Sequence, residues 1–131
     1  MIVRVLLLLV GVLHLVNGAT MLIAPVSWYE TVPGVTGTGP FNHHFILDVG
    51  MAFIASGALL ALGARLNSAA ANFAVAGASW PILHALIHVA GWFTSGFPSE
   101  PRVIFADAVG VVAVAVLGGT LAWFRTKGVS R

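Results

Sequence analysis

The sequence contains no cysteine. This absence excludes a disulfide framework, thiol catalysis, thiol–disulfide exchange and a thiolate metal site. Any bound metal would have to be held by imidazole, carboxylate or backbone oxygen atoms.

Charged residues are also scarce, at 8% of the chain, against roughly 25% in an average soluble domain. The six Lys and Arg residues form no basic patch or stripe, so nucleic acid is excluded as a partner. Hydrophobic residues make up 59% of the chain, and the mean hydropathy is +1.00. This composition predicts an integral membrane protein in contact with the lipid bilayer.

Four windows are apolar over about 20 residues, which is the length needed to cross a bilayer. The first has the composition of a secretory signal peptide, but its length and its polar residues His14 and Asn17 favour a spanning helix. The sequence therefore predicts an all-α integral membrane four-helix bundle. We expect one transmembrane domain over residues 1–131, with spans at about 2–24, 45–63, 71–93 and 103–124.

The longest connection covers residues 25–42 and is rich in Pro, Gly and Thr, which predicts irregular backbone. Pro25 should end the first helix, and Asn42 should cap the second. The connection is either an ordered lid over a site or a spacer along the headgroups. Inside the third span, Pro81 predicts a kink.

The basic residues predict how the chain is oriented. Arg102 falls on one side of a four-span protein, and all the others fall on the opposite side: Arg4, Arg65, Arg125, Lys127 and Arg131. The positive-inside rule then places both termini inside and the long connection outside. We expect a multi-pass protein of the bacterial inner (cytoplasmic) membrane.

Six polar residues within the spans are predicted to share the outer half of the membrane. With a rise of 1.5 Å per residue, they lie roughly 5 to 15 Å below the outer ends of their helices. The six residues come from all four spans and are His14, Asn17, Asp48, His84, His88 and Asp107. Because ionisable groups at such depth usually face protein or water, they predict a polar cup that opens outward.

Metal binding is one chemistry that such a cup supports. His84 and His88 share a helix face at i,i+4 spacing, as do His44 and Asp48. The predicted ligands of a zinc, copper or iron ion are His44, His84, His88, Asp48 and Asp107. No Glu follows His84, so the metalloprotease motif is absent.

Metal-free chemistry is a second interpretation. Asp48 or Asp107 would orient His84, which would move a proton on a small lipophilic ligand. Haem or quinone binding is a related option, for which His14, Asn17 and Trp80 are candidate contacts. The structural alternative is that these groups only satisfy one another, as interhelical hydrogen bonds worth about 0.6 kcal/mol each.

The first half of the chain also resembles a family pattern. Its residues are Asn17-Gly18, Met21-Leu22, Pro25, Trp28-Tyr29, Pro33-Gly34-Val35, Gly39-Pro40-Phe41-Asn42, His44-Phe45 and Asp48-Val49-Gly50. This run resembles small four-span bacterial membrane proteins of unassigned function, which are similar to the wider DoxX-like group. The resemblance implies a four-helix membrane bundle and a link to quinone or thiol redox systems. Lacking cysteine, the chain departs from the thiol branch.

The leading hypothesis is a polytopic membrane protein whose outward-facing His/Asp pocket binds a metal or a small lipophilic ligand, with enzymatic activity left open. The alternative is a non-catalytic accessory subunit of a larger membrane complex, and a homo-oligomer is also compatible with the sequence. A transporter or channel is disfavoured, because the inner half of each span offers no polar path.

Overall fold

The structure is a computed structural model that describes residues 1–67 and 69–128, so Ser68 and Arg131 lie outside it. Within these ranges the chain forms helices and no strand, which confirms the predicted all-α fold. Four of the described helices are long and apolar enough to cross a membrane, and we call them spans 1 to 4. They are Ile2–Ile23, His43–Gly63, Ala70–Thr94 and Pro101–Lys127. The chain is therefore a polytopic membrane protein whose outer faces contact the lipid bilayer.

The four spans form a bundle in which neighbours in sequence are neighbours in space. Span 1 packs on span 2, span 2 on span 3, and span 3 on span 4, whose second half returns to span 1. Spans 1 and 2 approach closely because glycines face each other. A Cβ atom added at Gly57 would lie 2.6 Å from the carbonyl oxygen of Gly11. Small residues allow this separation, and a side chain would prevent it.

One end of the bundle is basic and tightly packed. The Nε atom of Arg4 donates to the carbonyl of Ala64 at 2.6 Å, and that of Arg125 donates to Gly63 at 3.0 Å. We call the end that carries Arg4, Arg65 and Arg125 the basic end. The buried apolar cluster lies beside it and comprises Leu7, Val10, Leu60, Ala64, Ala74, Ala78, Leu121 and Ala122. The opposite end, where the predicted site lies, is called the site end.

Span 4 begins earlier than predicted and is not a uniform α-helix. Its first residue is Pro101, and the side chain of Glu100 caps it by accepting from the backbone N–H of Val103 at 2.8 Å. Proline at the first position suits a helix start, because the missing N–H would have no helical partner there. The span is α-helical over Pro101–Ile104, π-helical over Phe105–Ala113 and α-helical again over Val114–Gly128. No feature of the sequence predicted the π-helix.

The long connection is more regular than the sequence suggested. Span 1 ends at Ile23 as Pro25 predicted, but a new α-helix, Pro25–Thr31, begins at that proline, and a 3₁₀ turn covers Val35–Thr38. The prediction of irregular backbone was therefore wrong over these two segments. The predicted cap of span 2 is confirmed, because the Asn42 side chain accepts from the N–H of Phe45 at 3.1 Å.

The connection is also tied to the bundle. The indole N–H of Trp28 donates to Asn17 of span 1 at 3.0 Å, and the hydroxyl of Tyr29 donates to the carbonyl of Gly39 at 2.6 Å. Gly34, with φ of 88°, sits against Val103 at the start of span 4. The segment thus crosses the site end from span 1 to span 4.

Candidate functional site

Asp107 lies at the centre of the polar groups between spans 3 and 4. One of its carboxylate oxygens pairs with Nδ1 of His88, and the other accepts from the indole N–H of Trp92 at 2.6 Å. Only 14% of the Asp107 side chain is exposed. Because span 3 holds both carboxylate oxygens of Asp107, the position of this side chain is fixed from two sides.

His84 extends this arrangement toward the middle of the bundle. Its Nε2 atom lies 3.2 Å from Nε2 of His88, within hydrogen-bond distance. Its ring stacks on Trp80, with centroids 4.9 Å apart and planes within 9°. His84, His88 and Trp92 follow one another at i,i+4 spacing, so one face of span 3 supplies all three. We call Asp107, His88 and His84 the relay.

A second polar chain begins one turn below the relay, where proline interrupts span 3. Pro81 has no N–H, so it leaves the carbonyl of Gly77, four residues earlier, without its helical partner. The hydroxyl of Ser56 on span 2 fills this role by donating to Gly77 at 2.7 Å. Ser56 also lies 3.2 Å from Nδ1 of His14 on span 1. The proline thus accounts for a hydrogen-bonded chain that links three spans.

These partners determine which nitrogen of His14 carries a proton. The single hydroxyl hydrogen of Ser56 goes to Gly77, so Ser56 can only accept from Nδ1 of His14. Neutral His14 then has a lone pair at Nε2, which makes no hydrogen bond to the described residues. If this nitrogen were buried, it would be a buried polar atom without a partner, and residues 1–67 and 69–128 contain no such atom. Nε2 is therefore not fully buried. The same argument applies to Nδ1 of His84.

A small cavity lies beside both histidines. It measures about 20 Å³, and its walls come from all four spans: His14, Phe53, Pro81, His84, Gly110 and Val111. This volume is enough for one water molecule or one ligand oxygen atom. Both histidines that border the cavity have a nitrogen free to hydrogen-bond with such an occupant.

The π-helical part of span 4 forms one wall of the cavity through Gly110 and Val111. This segment packs on span 3, whereas span 1 packs on the α-helical second half of span 4. Gly110 lies in the π-helix and is exposed, and it has no side chain to cover the cavity. A π-helical turn of this kind is often found at functional sites. Gly110 lies within the length of the span, so its exposed surface faces the bilayer.

The structure brings together only part of the predicted polar cup. His44 and Asp48 pair with each other at 3.4 Å, with 88% and 50% of their side chains exposed. Ile46 and Gly50, which lie two residues before and after Asp48, are buried in the bundle. Two residues turn a helix by about 200°, so Asp48 lies on nearly the opposite face. Asp48 therefore points away from the relay.

The predicted metal site is consequently not formed. Residues 1–67 and 69–128 contain no group of three or more His, Cys, Asp or Glu side chains placed to hold a metal ion. Both oxygens of Asp107 are engaged by His88 and Trp92, and the His44–Asp48 pair faces outward on another span. The set His44, His84, His88, Asp48 and Asp107 is corrected to a relay of three residues and a separate surface pair.

Other predicted residues have different surroundings. The ring of Trp80 stacks on His84. Asn17 accepts from Trp28 of the connection and donates weakly to Met21. Three contributors were missed. These are Trp92, Ser56 and Phe53. The i,i+4 spacing of Trp92 from His88 was a usable signal, whereas the sequence around Ser56 and Phe53 offered none.

The chain has no significant match to a protein-family model, to a curated protein or to a solved structure, so its similarity to the DoxX-like group stays a prediction.

Proposed function

We propose that this protein binds the oxygen-bearing head of a small lipophilic molecule at the cavity and exchanges a proton with it through His84. The observation that carries the proposal is the continuous chain from Asp107 through His88 to His84, which ends where His84 has a free nitrogen at a cavity. A proton-transfer group must reach its substrate within hydrogen-bond distance, and His84 is one of the residues that line the cavity.

The relay supports a proton transfer in two linked steps. The ligand O–H bond breaks as its proton binds Nδ1 of His84, and the Nε2 proton of His84 passes to Nε2 of His88 across 3.2 Å. The products are a ligand oxyanion and an imidazolium at His88, which remains hydrogen-bonded through Nδ1 to the carboxylate of Asp107. The reverse sequence protonates the ligand. Throughout, Asp107 accepts from Nδ1 of His88 and so stabilises the cation beside it.

Trp92 is a positioning residue in this scheme. Its indole N–H holds the second oxygen of Asp107 at 2.6 Å, so the first oxygen stays directed at His88. Trp80 positions His84 in a similar way, through ring stacking rather than a hydrogen bond. Since the two tryptophans restrain both ends of the relay, little reorganisation is needed when the proton moves.

The size and lining of the cavity support a ligand class. About 20 Å³ accommodates a hydroxyl or carbonyl oxygen but not a ring or chain, so the remainder of the ligand would extend past Gly110 into the bilayer. Phe53, Pro81 and Val111 line the same space with apolar surface, which suits the carbon atoms next to the oxygen. A lipophilic molecule could reach this opening by lateral diffusion within the membrane.

The proposal is tested by extracting the purified protein with organic solvent and identifying stoichiometric small molecules by mass spectrometry. We compare the wild type with His84→Phe, which keeps an aromatic ring but removes the nitrogen atoms. The matched control is His44→Phe, at an exposed histidine whose partner is Asp48. We expect one oxygen-bearing lipophilic compound in the wild type and the control, and its loss from His84→Phe.

Retention of the compound by His84→Phe, or its equal loss from both variants, would overturn this assignment. The competing function is a non-catalytic accessory subunit of a larger membrane complex. In that case a protein partner would co-purify in mild detergent at fixed stoichiometry, and substitutions on the lipid-facing flanks would release it while His84→Phe would not.

We also propose the predicted orientation, with both termini inside and the site end outside. The support is the convergence of Arg4, Arg65 and Arg125 at one end of the bundle. A DoxX-like relationship and a location in the bacterial inner membrane belong to the same proposal.

A further inference from the structure

We infer that the basic end binds the phosphate group of an anionic phospholipid, with the lipid lying in a groove beside Arg4. This site is at the opposite end of the bundle from the relay and does not depend on the function proposed for it.

The groove combines one cationic group with apolar walls. It measures about 210 Å³ and is lined by Met1, Arg4, Val5, Leu8 and Ala64. Val5 and Leu8 are about half exposed, at 50% and 45%, and they face outward from span 1. Leu8 lies one turn beyond Arg4, about 6 Å further along the helix axis. The groove therefore runs from a guanidinium group at the end of the span onto lipid-facing surface.

Two arginines cap consecutive backbone carbonyls at this end. Arg4 donates through Nε to Ala64, and Arg125 donates through Nε to Gly63, the preceding residue, and through a terminal nitrogen to Arg65. These contacts satisfy the free carbonyls at the end of span 2. Capping uses only the Nε–H of Arg4. Its terminal N–H groups make no hydrogen bond within the described residues, and they remain free for an anion.

Within residues 1–67 and 69–128, no carboxylate forms an ion pair with these groups. The ion pairs among the described residues are His44–Asp48 and His88–Asp107, and both lie toward the site end. Like charges repel each other, so an anion bound at Arg4 would offset the repulsion between the cations gathered at this end. Phosphate fits this requirement, because its oxygens accept paired hydrogen bonds from the planar guanidinium fork.

The groove favours a phospholipid over free phosphate. A free anion would gain nothing from Val5 and Leu8, whereas the glycerol and first acyl carbons of a lipid would cover both side chains. Basic residues at the ends of spans also attract anionic headgroups, by roughly fivefold in affinity for each charge. The ligand is therefore a lipid whose headgroup carries net negative charge.

The test uses the full chain, delipidated in detergent and titrated with dioleoylphosphatidylglycerol or dioleoylphosphatidylcholine, with bound lipid counted by native mass spectrometry. We expect one phosphatidylglycerol to bind at least roughly fivefold more tightly than phosphatidylcholine. Arg4→Gln should abolish this preference. Arg102→Gln, which removes the cation at the site end, should leave it unchanged.

A second variant tests the groove separately from the charge. Val5→Trp fills the groove but keeps Arg4, so it should weaken phosphatidylglycerol binding and leave the cap of span 2 intact. It also keeps the test valid if Arg4→Gln does not fold. Equal binding of the two lipids overturns the inference, as does an equal effect of Arg4→Gln and Arg102→Gln. Full displacement of the lipid by inorganic phosphate, or no effect of Val5→Trp, would overturn the assignment to a phospholipid.

Discussion

Ser56 donates its hydroxyl hydrogen to Gly77, whose carbonyl has no helical partner because Pro81 lacks an N–H. The bond joins spans 2 and 3 at the depth where polar groups have no water to pair with. It also turns the oxygen of Ser56 into an acceptor for His14. A single proline in span 3 thereby determines the tautomer of a histidine in span 1.

Replacing Ser56 with Ala should therefore destabilise the bundle. The change leaves the carbonyl of Gly77 and Nδ1 of His14 without partners, at a cost of about 1–3 kcal/mol for an unsatisfied buried group. Thermal unfolding in detergent measures the loss. Ser79→Ala is the control, because Ser79 is exposed and bonds only within its own helix, to Val75. Equal destabilisation by the two variants would argue against a special role for the Ser56 bond.

The contact between spans 1 and 2 predicts that Gly57→Ala is harmful. The added Cβ would lie 2.6 Å from the oxygen of Gly11 and 2.8 Å from the nitrogen of Leu15, and backbone atoms cannot move aside individually. Overpacking of this kind costs about 1–3 kcal/mol. At Gly91 in span 3 nothing lies within 4 Å, so Gly91→Ala should be neutral or stabilising. The thermal unfolding midpoint should fall in Gly57→Ala and stay unchanged or rise in Gly91→Ala.

The relay predicts the tautomer of His88. Asp107 accepts from Nδ1, so this nitrogen should be protonated in the wild type, as read from ¹⁵N chemical shifts of labelled histidine. Asp107→Asn offers one acceptor oxygen to two donors, His88 and Trp92, and removes the negative charge. The His88 signals should therefore shift. Asp48→Asn should leave them in place, and a shift of similar size in that variant would contradict the separation of the two carboxylates.

The Asn17–Trp28 hydrogen bond should control the order of the long connection. Asn17→Ala removes the acceptor of the indole N–H and a bond worth about 1 kcal/mol, so amide exchange across Pro25–Thr31 should accelerate roughly fivefold. Hydrogen–deuterium exchange with mass spectrometry measures this. The hydroxyl of Thr20 bonds only to the backbone of Asn17 within span 1, so Thr20→Ala should leave the connection protected. Unchanged exchange in Asn17→Ala would show that other contacts hold the segment.

The absence of cysteine makes the proposed orientation easy to test. A single cysteine at Gly37, which has open space around it, should react with a membrane-impermeant maleimide from outside the cell. A cysteine at Asn67, in the exposed turn at the basic end, should react only after the membrane is permeabilised. The opposite labelling pattern would contradict the proposed orientation and would show that the site end lies inside the cell.

Composition and hydropathy were sufficient to predict the four spans, because each is a long apolar segment whose bounds differ from the structure by only a few residues. The i,i+4 spacing of His84 and His88 correctly predicted a shared face. Depth alone did not predict contact. Asp48 and Asp107 lie at similar depths, yet the rotation of span 2 is set by Gly50 and Gly57 against span 1, and that rotation turns Asp48 outward.

The remaining parts of the site depend on tertiary contacts that leave no local signal. Ser56 reads as one more small residue of a membrane helix until Gly77 is seen beside it. Trp92 has the position of an interfacial aromatic and differs only in having Asp107 within reach. The π-helix is equally hidden, because its residues are the same Val, Ala and Gly that fill the α-helical spans.

The π-helix also changes the direction in which side chains of the second half of span 4 point relative to those of the first half. Arg125 must face the end of span 2, while Asp107 must face span 3, and a continuous α-helix would couple the two directions rigidly. Deleting one residue between Phe105 and Ala113 would turn one half by about 100° relative to the other. A protein that acquires or loses a single codon in this segment would therefore gain or lose the site in one step, with its lipid-facing composition unchanged.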